Sequence, residues 1–206
     1  NNDFPWLKGK EILINKIPVR ALRVNYVGEL GWELHHPMNQ MESLYNAIYE
    51  VGKKEKIFNF GTYAVNSLRI EKAYRGWGSE LTGEISLVEA GMDRFFNLKK
   101  KNNFIGAKIL QEKIQSGVDI KIAYLEVEVD DIDARGNEPV YHKDNVVGVV
   151  TSGGYGFRSK KSLAFAYVKS DLVEDSNLEI EIQGKKRKAK ILHKVVYDPE
   201  NKKLTA

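Results

Sequence analysis

Cysteine is absent from the 206-residue chain, which excludes disulfide bonds, thiol nucleophiles and cysteine-ligated metals. Histidine is sparse, at four residues, and its spacing offers no chelating pair. His35 and His36 are neighbours on an expected strand and so face opposite ways, while His142 and His193 fall in separate expected strands. A structural metal is therefore not expected. No apolar run approaches the roughly 20 residues of a membrane span. The opening Asn1-Asn2-Asp3-Phe4-Pro5-Trp6 has neither the basic start nor the apolar stretch of a signal peptide. It also lacks an initiator Met, so the sequence reads as a processed product or part of a longer protein. A cytoplasmic location without a membrane partner is expected.

What is present is a chain 42% hydrophobic and 29% charged, the composition of a soluble globular protein, long enough for one large domain or two small ones. The net charge of +4 and pI near 9.0 are mildly basic. The densest basic run, Lys185-Lys186-Arg187-Lys188-Ala189-Lys190, lacks the aromatics that stack on bases. It reads first as a solvated edge strand carrying protective lysines, second as an attractant for an acidic ligand tail, and third as a nucleic-acid surface. No nucleic-acid partner is expected.

Hydrophobic period divides the chain. After Pro37, Asn39 and Glu42 have capping-box spacing, and Met41, Leu44, Tyr45, Ile48 and Val51 form a helical stripe that Gly52 ends. A second helix is expected from Thr62 to about Tyr74, carrying Leu68 and Ile70, and a third from Ile105 to about Gln115, stopped by Gly117. From Ile120 onward there are short alternating runs at 120–129, 138–142, 146–152, 162–169, 178–183 and 187–195. Arg135-Gly136-Asn137, Lys143-Asp144-Asn145 and Gln183-Gly184-Lys185 punctuate them as turns. Six short strands at this spacing suggest a small barrel or sandwich, with the boundary between the halves at Ser116-Gly117-Val118-Asp119.

Three stretches carry candidate chemistry. Thr151-Ser152-Gly153-Gly154-Tyr155-Gly156 is glycine-rich but lacks full dinucleotide spacing and opens no helix, so it reads as a β-turn segment able to close over a neighbouring cleft. Arg69 to Glu80 ends a helix and places Tyr74 and Trp77 among glycines. Glu71 could pair with Arg75 one helical turn on, and the loop is either simply packed or, through Tyr74, Arg75 and Trp77, part of a cleft wall.

The most informative stretch is Val24-Asn25-Tyr26-Val27-Gly28-Glu29-Leu30-Gly31-Trp32-Glu33-Leu34. Leu22, Val24 and Tyr26 alternate with polar residues as in a half-buried strand, Gly28 and Gly31 permit a tight turn, and Trp32 and Leu34 then share one face while Glu33 and His35 share the other. A carboxylate accepts two parallel N–H bonds and an aromatic ring covers a flat face, so Tyr26 and Glu33 suit a planar heterocycle if the turn brings them into one cleft. The plainer reading is an exposed glutamate on an ordinary hairpin.

This stretch resembles the Tyr-x-Gly-Glu-x-Gly-(aromatic)-Glu-(Leu/Ile) signature of the glycine cleavage T-protein family, which includes aminomethyltransferases and the folate domains of dimethylglycine and sarcosine dehydrogenases. Asn66-Ser67-Leu68-Arg69-Ile70-Glu71-Lys72-Ala73-Tyr74-Arg75-Gly76-Trp77-Gly78 and Gly148-Val149-Val150-Thr151-Ser152-Gly153-Gly154-Tyr155-Gly156 are similar to segments of the dehydrogenase branch, as are Phe4-Pro5-Trp6 and Arg20-Ala21-Leu22-Arg23. Val65 stands where the aminomethyltransferases carry a folate-contacting arginine. The resemblance implies an α+β fold: the C-terminal half of a T-protein-like folate-binding domain at residues 1–116, then a small six-stranded antiparallel β-barrel at 117–206.

It further implies tetrahydrofolate as cofactor, with FAD only in a separate domain or chain. Glu33 is then the residue on the pterin edge, Tyr26 and Tyr74 are folate contacts, and Glu29 is structural. The implied chemistry is capture of a one-carbon unit, released from an oxidised small methylamine, as 5,10-methylenetetrahydrofolate. The family's catalytic aspartate lies upstream of the matched stretch, so no catalytic residue is assigned here, and a missing N-terminal half or a partner subunit is expected. A free-standing aminomethyltransferase or related demethylase is the second reading. A non-catalytic descendant of the fold is the third, although the tRNA-modifying relatives carry a cysteine that this chain lacks.

Overall fold

The computed structural model describes residues 2–100, 104–174 and 177–206. Its first part is a three-stranded antiparallel sheet, β1 (Gly9–Ile14), β2 (Ile17–Leu22) and β3 (Glu33–His35), in the order β1-β2-β3. Alternation sends Ile17 and Val19 of β2 to one face, where they are buried with Leu44 of helix α1 (Met41–Gly52) and supported by Ile12, Ile14, Leu34 and Ile48. Only part of the expected apolar stripe of α1 serves this contact: Met41, Tyr45 and Val51 stay exposed. The expected capping box is not formed. A 3-10 turn at Met38–Gln40 precedes α1, and its N-cap Gln40 makes no side-chain capping bond. Nor does Gly52 stop the chain's winding, which continues as a 3-10 turn at Lys53–Glu55 and ends at Lys56 in the left-handed region.

Helix α2 (Thr62–Glu71) ends three residues earlier than its pattern suggests, because Ala73 turns left-handed at φ 53°. Helix α3 (Ala107–Ser116) stops at Gly117, φ 80°, as the glycine signal predicts. Six strands follow: β4 (Ile120–Val127), β5 (Pro139–His142), β6 (Asn145–Gly156), β7 (Lys161–Lys169), β8 (Leu178–Ile182) and β9 (Lys185–Ile191). They close into an antiparallel barrel in the order β4-β7-β6-β5-β8-β9. The fold is thus α+β.

Closure changes the reading of the basic run only at its far end. β9 pairs with β8 through Lys185–Ala189 and with β4 only through Ala189–Ile191 and a bond from the Glu128 amide to the Lys188 carbonyl, so Lys190 joins the closed ladder while Lys185 and Lys186 are exposed with β8 as their strand partner. Lys185 belongs to the ladder opposite Ile182, while Gln183 and Gly184 make the left-handed turn.

The glycine-rich Thr151–Gly156 segment is also strand. It completes β6, pairing through Gly156↔Lys161 after a bulge near Val150–Ser152. The glycines serve close approach: a Cβ on Gly153 would lie 2.3 Å from the carbonyl oxygen of Ala134. A run that looks like a turn by composition is here a strand that another backbone overlies.

β7 is buried on both faces. Ala164, Ala166 and Val168 point into the barrel with Leu125, Val140 and Ile180. Leu163 and Phe165 point outward, where they meet Tyr124 and Ile70 of α2. Small alanines suit the narrow interior, and the outward apolar side chains bind the barrel to α2.

Gly153→Ala is expected to destabilise the chain by about 1–3 kcal/mol through overpacking. Gly154→Ala, where the nearest atom to the new methyl is Asn66 Nδ2 at 3.5 Å, is expected to stay within about 0.5 kcal/mol of the parent. Urea unfolding of the two variants measures both.

Candidate functional site

The expected strand from Leu22 to Tyr26 is broken. β2 ends at Leu22 and residues 26–30 form a bend, because Asn25 folds the backbone onto its own side chain. Its Oδ1 accepts from the amides of Val27 (3.0 Å) and Gly28 (2.8 Å), and its Nδ2 donates to the carbonyl of Glu29. Asparagine competes with a ladder in just this way. Gly28 has φ 74°, and a Cβ there would lie 2.1 Å from the Cγ of Lys72, so glycine is needed both for the turn and for the lysine stem beneath it.

That lysine is a tether. Its side chain is fully buried, and its Nζ donates to the Asp198 carbonyl (2.7 Å) and Asn201 Oδ1 (2.9 Å), with the Asp198 carboxylate at 3.6 Å. Arg23, also buried, donates to the carbonyls of Phe4 (2.6 Å) and Ala206 (2.7 Å). The C-terminal segment is thereby drawn over the Asn25–Gly31 loop. Glu29 accepts from the Tyr197 hydroxyl, which pushes that phenol up to about 12, the hydrogen bond being the main cause and burial the next. Glu29 is held in a protein contact.

Tyr26 and Tyr74 meet as expected of one wall: their rings stack with centroids 6.0 Å apart and planes 19° from parallel. Burial is the leading cause that raises both phenol pKa values. The Tyr26 hydroxyl donates to the carbonyl of Arg75 at 2.6 Å. The two tyrosines line a cleft of about 660 Å³, together with Trp6, Arg75, Arg94 and Phe95. Glu33 does not line this cleft. It projects from β3 with about half its side chain exposed, 3.7 Å from His35 Nε2. The turn therefore does not gather Tyr26 and Glu33 into one pocket, because Asn25 bends the chain before the strand could carry Tyr26 across the sheet.

The expected Glu71–Arg75 pair is also replaced. With α2 ending at Glu71 and Ala73 left-handed, the one-turn spacing is lost. Glu71 accepts instead from the amide and hydroxyl of Ser159, and Arg75 donates to the carbonyls of Ala73 and Ala90. Trp77, offered as a wall residue, is 86% exposed and lies outside the cleft lining.

Behind the cleft lies a network that sequence patterns do not reveal. The Glu80 carboxylate is wholly buried. One oxygen accepts from Arg69 Nη1 (2.9 Å) and the Gly76 amide (2.6 Å), the other from the hydroxyls of Thr151 and Ser152 (both 2.6 Å). Arg69 also donates to Ser152 Oγ at 2.7 Å, and Tyr167 donates to the Glu80 carbonyl at 2.8 Å. Burial by itself would raise the Glu80 pKa, but Arg69, Ser152, Thr151 and the Gly76 amide together bring it below the ordinary 4.5. Charge-assisted bonds of this kind hold the carboxylate ionised. The Gly76–Glu80 bond and the Tyr26–Arg75 bond fix the loop bearing Tyr74 and Arg75. Lys72, Arg94, Asp198 and Asn201 are likewise recruited from segments with no shared motif.

Glu80→Gln leaves Arg69 buried without its counter-charge and is expected to cost about 3–5 kcal/mol. Because the folded-state pKa lies below 4.5, the parent's contribution from this group is present above that pH and is lost as pH falls through the lowered value. Urea unfolding between neutral and acid pH is expected to show a gentler slope for the variant in that window.

Comparison with known proteins places this geometry. The GCVT N-terminal domain model matches residues 1–100, and the glycine cleavage T-protein C-terminal barrel domain model matches residues 121–198. The chain is 42% identical over 204 residues to dimethylglycine dehydrogenase, mitochondrial, of Rattus norvegicus, covering 98% of this chain and 24% of that protein. It is 31% identical to sarcosine dehydrogenase, mitochondrial, of Mus musculus, covering 99% and 23%. It therefore spans about a quarter of the length of these relatives. Among solved structures, the glycine cleavage system aminomethyltransferase T of Bartonella henselae superimposes with a TM-score of 0.84 at 23% identity, over 97% of this chain and 54% of that one. With both family models matched in chain order, and the barrel that the second describes closed in the structure, the chain belongs to the glycine cleavage T-protein family.

Proposed function

We propose that this chain is the tetrahydrofolate-binding part of a methylglycine dehydrogenase-like enzyme, acting on dimethylglycine or sarcosine. The observation that carries the reading is the 42% identity to a dimethylglycine dehydrogenase across nearly the whole chain. Folate fits the acceptor offered at β3: the Glu33 carboxylate is half exposed, with the His35 ring nitrogen 3.7 Å away, which leaves its oxygens open to the paired N–H donors of a pterin edge. Tyr26 and Tyr74 offer stacked ring surface in the separate cleft described above. When bound, tetrahydrofolate supplies the nitrogens that take up a one-carbon unit in the 5,10-methylene form. The residues of this chain bind and orient it and limit the access of water.

In this reading the folate unit runs to residue 116 and the barrel begins at 117, where α3 gives way to β4. FAD and the proton-transferring aspartate belong to another domain or to a partner. Tyr63 (95% exposed), Trp77 (86%) and Phe58 (75%) supply apolar surface for that remaining part to cover. We place the protein in the cytoplasm, a reducing compartment that suits a cysteine-free chain, although the mammalian relatives are named as mitochondrial. No helix among the described residues is long and apolar enough to cross a membrane. An aminomethyltransferase is the alternative, and Val65 in place of the expected arginine argues against it.

Glu33→Gln puts an amide donor opposite the ligand's N–H groups and is expected to weaken folate binding at least about tenfold. Calorimetric titration of folded parent and variant decides this, and equal affinities would return Glu33 to an ordinary surface position. Tyr26→Phe removes the bond to the Arg75 carbonyl and is expected to lower stability by about 1 kcal/mol. The purified 206-residue chain is expected to show no one-carbon transfer alone, and methylene-tetrahydrofolate formation without a partner would overturn the assignment of catalysis to another part.

A further inference from the structure

Strand β3 presents two polar side chains on one face. Leu34, between them, packs against the cluster of Ile17, Val19 and Leu44, so alternation puts Glu33 and His35 together on the outer face. Both are anchored at the base, because Glu33 lies opposite Leu22 and His35 opposite Arg20 in the ladder with β2. The His35 Nε2 stands 3.7 Å from Glu33 Oε2, which is ion-pair distance and longer than a hydrogen bond.

The neighbouring strands extend the pattern. Arg20 lies opposite Glu11 on β1 as well as opposite His35, and its Nη2 donates to Glu11 Oε1 at 2.9 Å. Directly opposed side chains of an antiparallel pair are near neighbours. A ring N–H of His35 therefore has a cation already committed to Glu11 on one side and the Glu33 carboxylate on the other, and its favourable direction is toward Glu33.

An exposed pair of this kind adds little to folding. What it supplies is direction. A glutamate has three side-chain torsions, and accepting two parallel N–H bonds from a flat ligand edge needs both oxygens in the plane of the ligand. Ordering the side chain only at the moment of binding costs affinity. An N–H pole on the same strand, aimed at one oxygen, narrows that freedom beforehand, and a carboxylate has lone pairs enough for the pole and the ligand together.

We propose that His35 is a positioning residue for Glu33, its Nε2 orienting the carboxylate for the paired N–H donors of a pterin edge. The proposal rests on the folate reading.

The test is calorimetric titration of the chain with folate, on the parent, His35→Gln, His35→Asn, His35→Leu, His36→Gln, Glu33→Gln and the double variant Glu33→Gln with His35→Leu. The His35 side chain is 58% exposed and borders an open cavity of about 610 Å³ with Leu13, Pro18 and Pro37, so its replacements meet open space and fold, which circular dichroism verifies. The amide nitrogen of glutamine reaches the place of Nε2, and that of asparagine falls short of it. His35→Leu and His35→Asn are expected to weaken folate binding at least about threefold, and His35→Gln to stay within about twofold of the parent. His36, whose Nδ1 lies 2.9 Å from the Pro37 carbonyl, is expected to be replaceable without effect. In the Glu33→Gln background His35→Leu is expected to cost nothing further, because its effect runs through Glu33. Affinity that falls on Glu33→Gln but not on His35→Leu would overturn the proposal and leave the folate reading standing. An equal loss from His35→Leu with and without the Glu33 carboxylate would do the same, since His35 would then touch the ligand directly. A parent that binds no folate, or binds it no better than Glu33→Gln, would overturn the folate reading and the proposal with it.

Discussion

The ion pair between Arg69 and Glu80 is the constraint on which the rest of the molecule depends. Both side chains are almost completely out of water, where an unpaired charge costs several kcal/mol. The pair is tolerable only because the remaining hydrogen-bonding positions are filled, by Gly76, Ser79, Thr151 and Ser152 on the glutamate and by Asn66, Tyr74 and Ser152 on the arginine. Those partners come from the end of α2, the loop that follows it and strand β6. Their demand for donors fixes the three segments against one another more specifically than apolar contact can.

A second tie acts at the cleft wall. Lys72 is held by the chain at Asp198 and Asn201 while its stem fills the space that Gly28 leaves empty. Tyr197 and Glu29 join the same two segments. The cleft is consequently walled by pieces that lie far apart in sequence, tied to one another by polar contacts that include the Lys72–Asn201 and Tyr26–Arg75 bonds of the wall itself. Tyr26 and Tyr74 are held before any ligand arrives, and that is how ordering costs on binding are reduced.

The barrel was legible where the physics is local. Alternation and left-handed turn residues mark β4, β5, β7 and β8 to within a few residues, and Gly117 stops α3 as expected. What could not be read depends on distant partners. Thr151–Gly156 has turn composition, yet forms strand because Ala134 lies against Gly153. Closure supplies a second neighbour at the far end of β9, from Ala189 to Ile191, which the run of lysines does not announce. Tyr26 and Tyr74 belong to two separate motifs whose contact only the fold reveals, while one side-chain turn at Asn25 separates Tyr26 from Glu33. Arg94, Asp198 and Asn201 carry no local pattern, so nothing in their surroundings announces the cleft or the tether.

Burial of β7 on both faces explains why the barrel and α2 should be regarded as one cooperative unit. A free-standing barrel of this size would show polar residues outward along each strand. Here Leu163, Phe165 and Tyr124 face outward and are buried in a cluster with Ile70 and Ala73, to which Ile122, Leu192, Val195 and Val196 add cover. Arg69 and Arg75 both sit above the Phe165 ring, with guanidinium carbons 5.8 and 5.3 Å from its centroid. One aromatic side chain of the barrel therefore supports both the buried ion pair and the arginine that faces the cleft. A shift of β7 relative to α2 would disturb the core, the Arg69–Glu80 network and the cleft wall together, so the barrel contributes to the candidate site by placing Arg75 while lending it few residues of its own.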